Sequence, residues 1–530
     1  MARVGAIGKA AKHDATGGRP SRQDTATIVP APARLLGCHL THPAAHIEQD
    51  PAMQDIAYTS AAALAAAIRT KKISAVEAMH ATLAAAEKAQ SALNCFVTIC
   101  AEQALADAKA ADESLAAGRE TGPLHGVPFH AKDLVNSKGV RTTFGSCMFE
   151  HNVPQNYSLS IARLKQAGAI LFGKTTTPEF GHMCYTEAPL FGRTANAWSP
   201  ARTSGGSSGG AGAALAAGAG AIGIGTDAGG STRIPAACNG VVGFKQSSGV
   251  VPHDTAPDLF ANISSINPMA RTVMDTALML EAMAGADPCD PYSLGMPSTG
   301  FVAAAMPEGS LKGTRVAWRP LLGNSVLDRE VFVLCEAAAL ALGELGARVE
   351  PMEDDIEPVQ PMWIAYSAAM WQARFDDALP KWGDKLSPTL VRQMEMGRQT
   401  SSAEVGRALI ARSQLYRKVE TWFTRYDILA MPTLARTAID IEERLFEPIE
   451  IDGQKTDTVR KAWYPYTHPF NLTGHPAITL PCGFHSDGLP VAIQLVGRRG
   501  EDARLLRAAA LFEQARPWHA KRPPMATAGG

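Results

Sequence analysis

No apolar run in this chain of 530 residues is long enough to cross a bilayer, because glycine or a charged residue interrupts each one. No membrane partner is therefore expected. Charge of one sign is also lacking. Fifty Lys and Arg face 51 Asp and Glu, leaving a net charge of −1 and no basic run. This excludes the clustered cations on which nucleic-acid affinity rests. The nine cysteines, scattered from Cys38 to Cys482, form no CxxC pair and accompany no His-rich cluster. Such an odd, unpatterned set excludes a disulfide framework and a zinc site, and points to reduced thiols in the cytoplasm. No segment repeats at a fixed period, which excludes a solenoid. What remains is a charge-balanced chain able to bury a large core, with a small molecule as its expected partner and no cofactor or metal called for. The oligomeric state is left open, a homodimer included.

Residues 1–52 are a separate compositional block, rich in Ala, Pro, Gly and His, with Arg3, Lys9, Lys12, Arg19 and Arg22 ahead of most of the acids. The block has no continuous apolar stretch or cleavage site of a secretory signal and reads as a disordered extension. Residues 53–518 are expected to form the folded domain and 519–530 a tail. Within that domain SAVEAMHATLAAAEKAQ carries Ser74 and Glu77 in capping-box spacing, with Val76, Met79, Leu83 and Ala84 on one face, which predicts a helix starting at Ser74. Further on, SIARLKQAGAILFGKT reads as a helix stopped by Gly168 and then a buried strand. From 313 to 350 the strand, helix, strand order recurs; 355–425 looks mainly helical, and DILAMP, AITLP and VAIQLVG return to strands before a last helix. Alternation of this kind predicts an α/β fold, a large mixed sheet with helices on both faces.

The most informative segment runs from Thr203 to Pro235, TSGGSSGGAGAALAAGAGAIGIGTDAGGSTRIP. Its two glycine-flanked serine clusters could belong to a flexible linker, but the interior carries Leu215, Ile222 and Ile224 and almost no charge, so it reads as buried. Glycine allows close approaches that a Cβ would block, and a serine between glycines has an open hydroxyl and N–H groups nearby. A nucleophile with its oxyanion hole is built in this way.

Two motif matches fail on context. GAILFGKT, ending in Lys174 and Thr175, satisfies the phosphate-loop pattern, yet its middle residues are those of a buried strand and Pro178 interrupts any following helix. GGSSG around Ser207 matches the nucleophile elbow of α/β-hydrolases, and His468, His475 and His485 could complete a Ser-His-Asp triad. That elbow should follow a hydrophobic strand, whereas NAWSPART precedes Ser207.

Lys132 in GVPFHAKDL, Ser207 in GGSSGG and Ser231 in GTDAGGSTRIP together closely resemble the amidase signature family. The resemblance extends through LFGRTANAW, VVGFKQSSGVVP, NPMARTVMDTA and FNLTGHPAITLPCGFHSDGLPVAIQLVGR, from about Ile56 to Arg516, and is weak between 295 and 460. It implies hydrolysis of a small amide, with aryl amides and carbamates (urethanes) among the candidates. It also implies that Ser231 is the nucleophile, Ser207 the cis-configured bridging serine and Lys132 the base, with Ala228, Gly229, Gly230 and Ser231 as the oxyanion hole. Residues Gly181, Met183, Cys184 and Tyr185 fall in the stretch that lines the acyl pocket in that family, together with Ser207. Lysine serves as a base near neutrality only if desolvation depresses its pKa from about 10.4. Asp133 would oppose this, but successive strand residues face opposite ways, so it should turn aside. Asp227 and Arg233 flank the nucleophile and read as a loop-shaping salt bridge.

A related subgroup, the glutaminase subunit of a tRNA-dependent amidotransferase, would give a different biology. Members carry Gln after the Arg that follows the nucleophile and a Leu-Asp-Gln stretch further on, whereas this chain has Ile234 and Ser265-Ile266-Asn267-Pro268. Trp363, Tyr366, Met370 and Trp371 lie at helical spacing, and such a stripe reads first as core. If it borders the cleft instead, it favours an apolar or aryl substrate.

Overall fold

A computed structural model describes residues 56–524. The expected disordered extension over 1–52, and the tail beyond 524, lie outside the described residues. Eleven strands form one mixed sheet: β1 (Phe96–Ile99), β2 (Pro128–Lys132), β3 (Ile170–Thr175), β6 (Ile222–Asp227), β7 (Val242–Lys245), β8 (Ser265–Ala270), β9 (Arg315–Trp318), β10 (Arg348–Pro351), β11 (Ile428–Pro432), β14 (Ala477–Phe484) and β15 (Pro490–Gly497). Two ribbons, β4 (Glu187–Ala188) with β5 (Gly192–Arg193) and β12 (Pro448–Ile451) with β13 (Gln454–Thr458), stand apart from it. The order across the sheet is β1-β3-β2-β6-β8-β7-β14-β15-β11-β9-β10. β2 runs parallel to both β3 and β6, and β9 parallel to β10 and β11; the remaining neighbours are antiparallel.

Both faces of this sheet are buried, and the period-two alternation of side chains shows how. On β11, Ile428 and Ala430 join one apolar cluster while Leu429 and Met431 join another. On β15, Val491, Ile493 and Leu495 go to the first, Ala492 and Val496 to the second. Helices Arg329–Glu344 and Asp502–Ala515 cover the first face, and Leu415, Val419 and Trp422 of helix Ser402–Trp422 help to cover the second. No helix among the described residues is long and apolar enough to cross a membrane.

The helix expected after Ser74 spans Ala75–Leu93, with the capping box formed by Ser74 and Glu77. Its buried face is rotated from the expected one: Ala75, Ala78, Met79, Thr82, Leu83, Ala86 and Ala89 are buried, Val76 is half-buried and Ala84 is exposed. With so few large side chains, alanines decide the packing face. The glycine-serine segment is no linker, since helix Gly209–Ala216 is buried along its whole length. Lys174 sits within β3, fully buried, and its ammonium is taken up by Val135 O, Ser137 Oγ and Thr142 Oγ1, as the strand reading of GAILFGKT requires.

Candidate active site

β2 ends at Lys132, and its position between two parallel strands carries the side chain into the interior with no solvent exposure. The amine nitrogen is within hydrogen-bond distance of three hydroxyl oxygens: Ser207 at 2.6 Å, Thr226 at 2.9 Å and Ser208 at 3.0 Å. Burial holds its pKa well below the ordinary lysine value, and the Asp227 carboxylate only partly offsets this. Asp133 does turn aside. Its Oδ2 accepts from the Thr143 N–H at 2.9 Å, and Lys174 Nζ lies 3.8 Å from Oδ1.

The two adjacent serines differ in what surrounds them. Ser208 Oγ accepts from the Thr226 N–H and donates to the Thr226 carbonyl, both at 3.2 Å, so it is tied into β6. Ser207, preceded by a cis peptide bond from Gly206, lines a cavity of about 240 Å³. Ser231 lines the same cavity and is half-buried. Its carbonyl accepts from the Ser208 N–H at 3.1 Å, which brings the two serine segments side by side.

The loop carrying Ser231 is shaped by a buried ion pair, as expected. Arg233 Nε lies 2.9 Å from Asp227 Oδ2, and both side chains are fully buried. Arg233 also donates to Thr467 O, Gln494 Oε1 and Asn471 Oδ1, so its guanidinium fork is saturated. The arginine's charge holds the Asp227 carboxyl below the usual carboxylate range against the upward push of burial. Asp227 Oδ1 accepts from the Gly230 N–H at 2.6 Å, so that N–H, counted for the oxyanion hole from sequence, is spent on the loop itself. The N–H groups of Ala228, Gly229 and Ser231 donate to no acceptor among the described residues.

Gly181, Met183 and Cys184 line the cavity. Gly181 has φ +76° and a Cβ there would lie 3.2 Å from Ser207 Oγ, so glycine admits both the backbone shape and the close approach. Burial pushes the Cys184 thiol up to about 12. Tyr185 is not on the cavity: it packs in the second apolar cluster, its hydroxyl accepting from the Leu445 N–H at 3.3 Å. The stripe read first as core is partly so, since Trp363 is buried in the second apolar cluster, but it also borders the cleft. Trp363, Tyr366, Met370 and Trp371 all line the cavity from helix Gln360–Phe375, joined by Phe180, which stacks on Phe375 at 4.2 Å.

The histidines proposed for a triad do not come together with the serines. Among the described residues, none of His468, His475 and His485 lines the cavity. His468 packs on Tyr464 and Trp363, with burial lowering its pKa to about 3. His475 pairs with Glu420 at 3.1 Å and His485 with Asp487 at 3.1 Å. No group of three or more His, Cys, Asp or Glu among the described residues is placed to hold a metal ion.

The amidase family model matches residues 77–506 of the chain. The chain belongs to the amidase family. The acylamidase of Rhodococcus erythropolis is 37% identical to it over 474 residues, 89% of this chain and 98% of the relative. A glutamyl-tRNA(Gln) amidotransferase subunit from Moorella thermoacetica is 35% identical over 498 residues, 89% of this chain and 100% of the relative. A bacterial aryl acylamidase of the amidase signature family has a similar structure, with TM-score 0.82 and 27% identity over 89% of this chain and 99% of that one. The enzyme is an amide C–N hydrolase of the amidase signature type.

Sequence reasoning missed Thr226 as the third partner of Lys132, and Asn471, Thr467 and Gln494 around Arg233. Thr226 carried a signal, since it lies one residue before Asp227 in the same segment. The others come from more than 230 residues away; Asn471 and Gln494 stand in the C-terminal segment that carries the resemblance, but nothing local ties them to Arg233.

Proposed function

We propose that this amidase hydrolyses small amides bearing an aryl or other apolar group through an acyl-enzyme on Ser231, with Ser207 and Lys132 as the proton relay. Aryl carbamates, which present a carbonyl of similar shape, fall within the same reading. The observation that carries it is the fully buried Lys132 amine 2.6 Å from Ser207 on a cavity walled by Trp363, Tyr366, Met370 and Trp371.

A neutral amine has two N–H donors and one lone pair. Ser208, whose own proton goes to the Thr226 carbonyl, and Thr226 accept the two N–H groups, which leaves the lone pair for the Ser207 proton. Ser231 Oγ attacks the carbonyl carbon; its proton passes to Ser207 as the Ser207 proton passes to Lys132. The negative charge on the carbonyl oxygen is met by the N–H groups of Gly229 and Ser231, with that of Ala228 beside them. As the C–N bond breaks, the proton returns along the same route to the departing amine, and a water activated by the relay then hydrolyses the ester.

Ile234, where the glutaminase subgroup carries Gln, stands on the cavity, and this supports an apolar amide over glutamine. The test is a panel of para-nitroanilides, small aliphatic carboxamides, aryl carbamates and glutamine, with a fluorophosphonate probe to mark the nucleophile. Turnover of the anilides or carbamates with the adduct on Ser231 is expected. Glutamine as the only substrate, or an adduct on Ser207 or Ser208, would overturn the reading.

A further inference from the structure

Helix Gln360–Phe375 reaches the reacting centre as well as lining the cavity. The indole N–H of Trp363 donates to the carbonyl of Ala228 at 3.0 Å. A trans peptide holds its C=O and N–H on opposite sides, so this bond turns the N–H of Gly229 away from the indole. Thr467 does the same one peptide later: its hydroxyl donates to Gly229 O at 2.7 Å, and the Gly230 N–H on the other side meets Asp227. The indole itself is wedged. The His468 ring meets it edge-on at 4.9 Å and the Arg460 guanidinium lies 5.5 Å from its centre. A Cβ on Gly229 would come within 3.1 Å of Cζ2, so any larger residue there would press on the indole.

We propose that Trp363 is a positioning residue that holds the Ala228–Gly229 peptide with its N–H presented to the oxyanion. Since the same helix carries Tyr366, Met370 and Trp371, the seating of the substrate's aryl group and the geometry of the oxyanion donors are then coupled. The inference rests on reading residues 228–231 as the oxyanion site. It makes part of the catalytic rate a property of a segment far from the serine motifs in sequence.

The test is Trp363→Phe in the full chain, with a second variant in which Trp363 is replaced by β-(3-benzothienyl)alanine, of the same shape but without the N–H. For an anilide substrate, kcat should fall about 10- to 100-fold while KM stays within about threefold. Affinity for an aryl boronic acid, whose adduct with serine carries a negatively charged oxygen, should fall by the same factor. Affinity for the reduced amide, with CH₂ in place of C=O, should not change. Weakening of boronate and reduced amide alike, or kcat within twofold of the parent, would reduce Trp363 to a wall residue. If the parent's boronate adduct does not form on Ser231, the oxyanion reading fails and this inference with it. A Ser231 adduct indifferent to Trp363 overturns the inference alone.

Discussion

The floor of the cavity, where Lys132 meets Ser207, Ser208 and Thr226, is polar and closed by hydrogen bonds, whereas the wall on helix Gln360–Phe375 offers Trp363, Tyr366, Met370 and Trp371. In the floor one amine serves three hydroxyls, and an error of one residue would leave a buried amine or hydroxyl unpaired, which is costly. Apart from Trp363, whose indole N–H is bonded to the Ala228 carbonyl, the wall works by area and shape, and tolerates exchange among apolar side chains of similar volume. Chemistry is therefore expected to reside in the floor and selectivity in the wall.

The largest effects should come from the floor. Ser231→Ala should cost on the order of 10⁴-fold or more in kcat/KM, and Lys132→Ala about 10²- to 10⁴-fold, since the relay acts as a unit.

The pH profile follows from the same group. Its neutral form is the base, so kcat/KM should be lost as pH falls through a single ionisation displaced below the ordinary lysine value of about 10.4. Gln substitutions at His468, His475 and His485 should leave that ionisation in place; its abolition by any one of them would move the assignment back to a histidine base.

Removing half of the ion pair beneath the nucleophile comes next. Asp227→Ala leaves Arg233 buried and uncompensated, which should destabilise the fold by about 3–5 kcal/mol, read as a shift in the denaturant midpoint. The wall should respond more gently. Trp371→Ala should raise KM for anilides up to about tenfold, as expected from one aromatic contact, and leave a small aliphatic amide unaffected. Equal loss on both substrates would mean that the wall supports the floor and does not select. The smallest effect is expected at Cys184 and Cys238, whose thiols burial holds well above the ordinary range; alanine at either should keep turnover within about tenfold, and EDTA should change nothing.

The floor was legible mainly through resemblance: Lys132, Ser207 and Ser231 were marked by their match to the amidase signature family, and the glycine-flanked serines and strand alternation agreed with that reading. The helix at Ser74 and the strands from 170 to 175 and 428 to 432 were readable from local pattern, a capping box and short apolar runs. The resemblance pointed to the first of the two adjacent serines, and tertiary structure supplies the reason: Ser208 is withdrawn by β6, a strand formed later in the chain. It also spent the Gly230 N–H on Asp227, turned Tyr185 toward Leu445, and brought Thr467, Asn471 and Gln494 to Arg233. The aromatic stripe shows the limit most plainly. Helical periodicity marks a face that avoids water, and a packed core and an apolar cavity satisfy that requirement equally. Only the positions of the neighbouring elements determine whether the face is filled by the protein or left for a substrate.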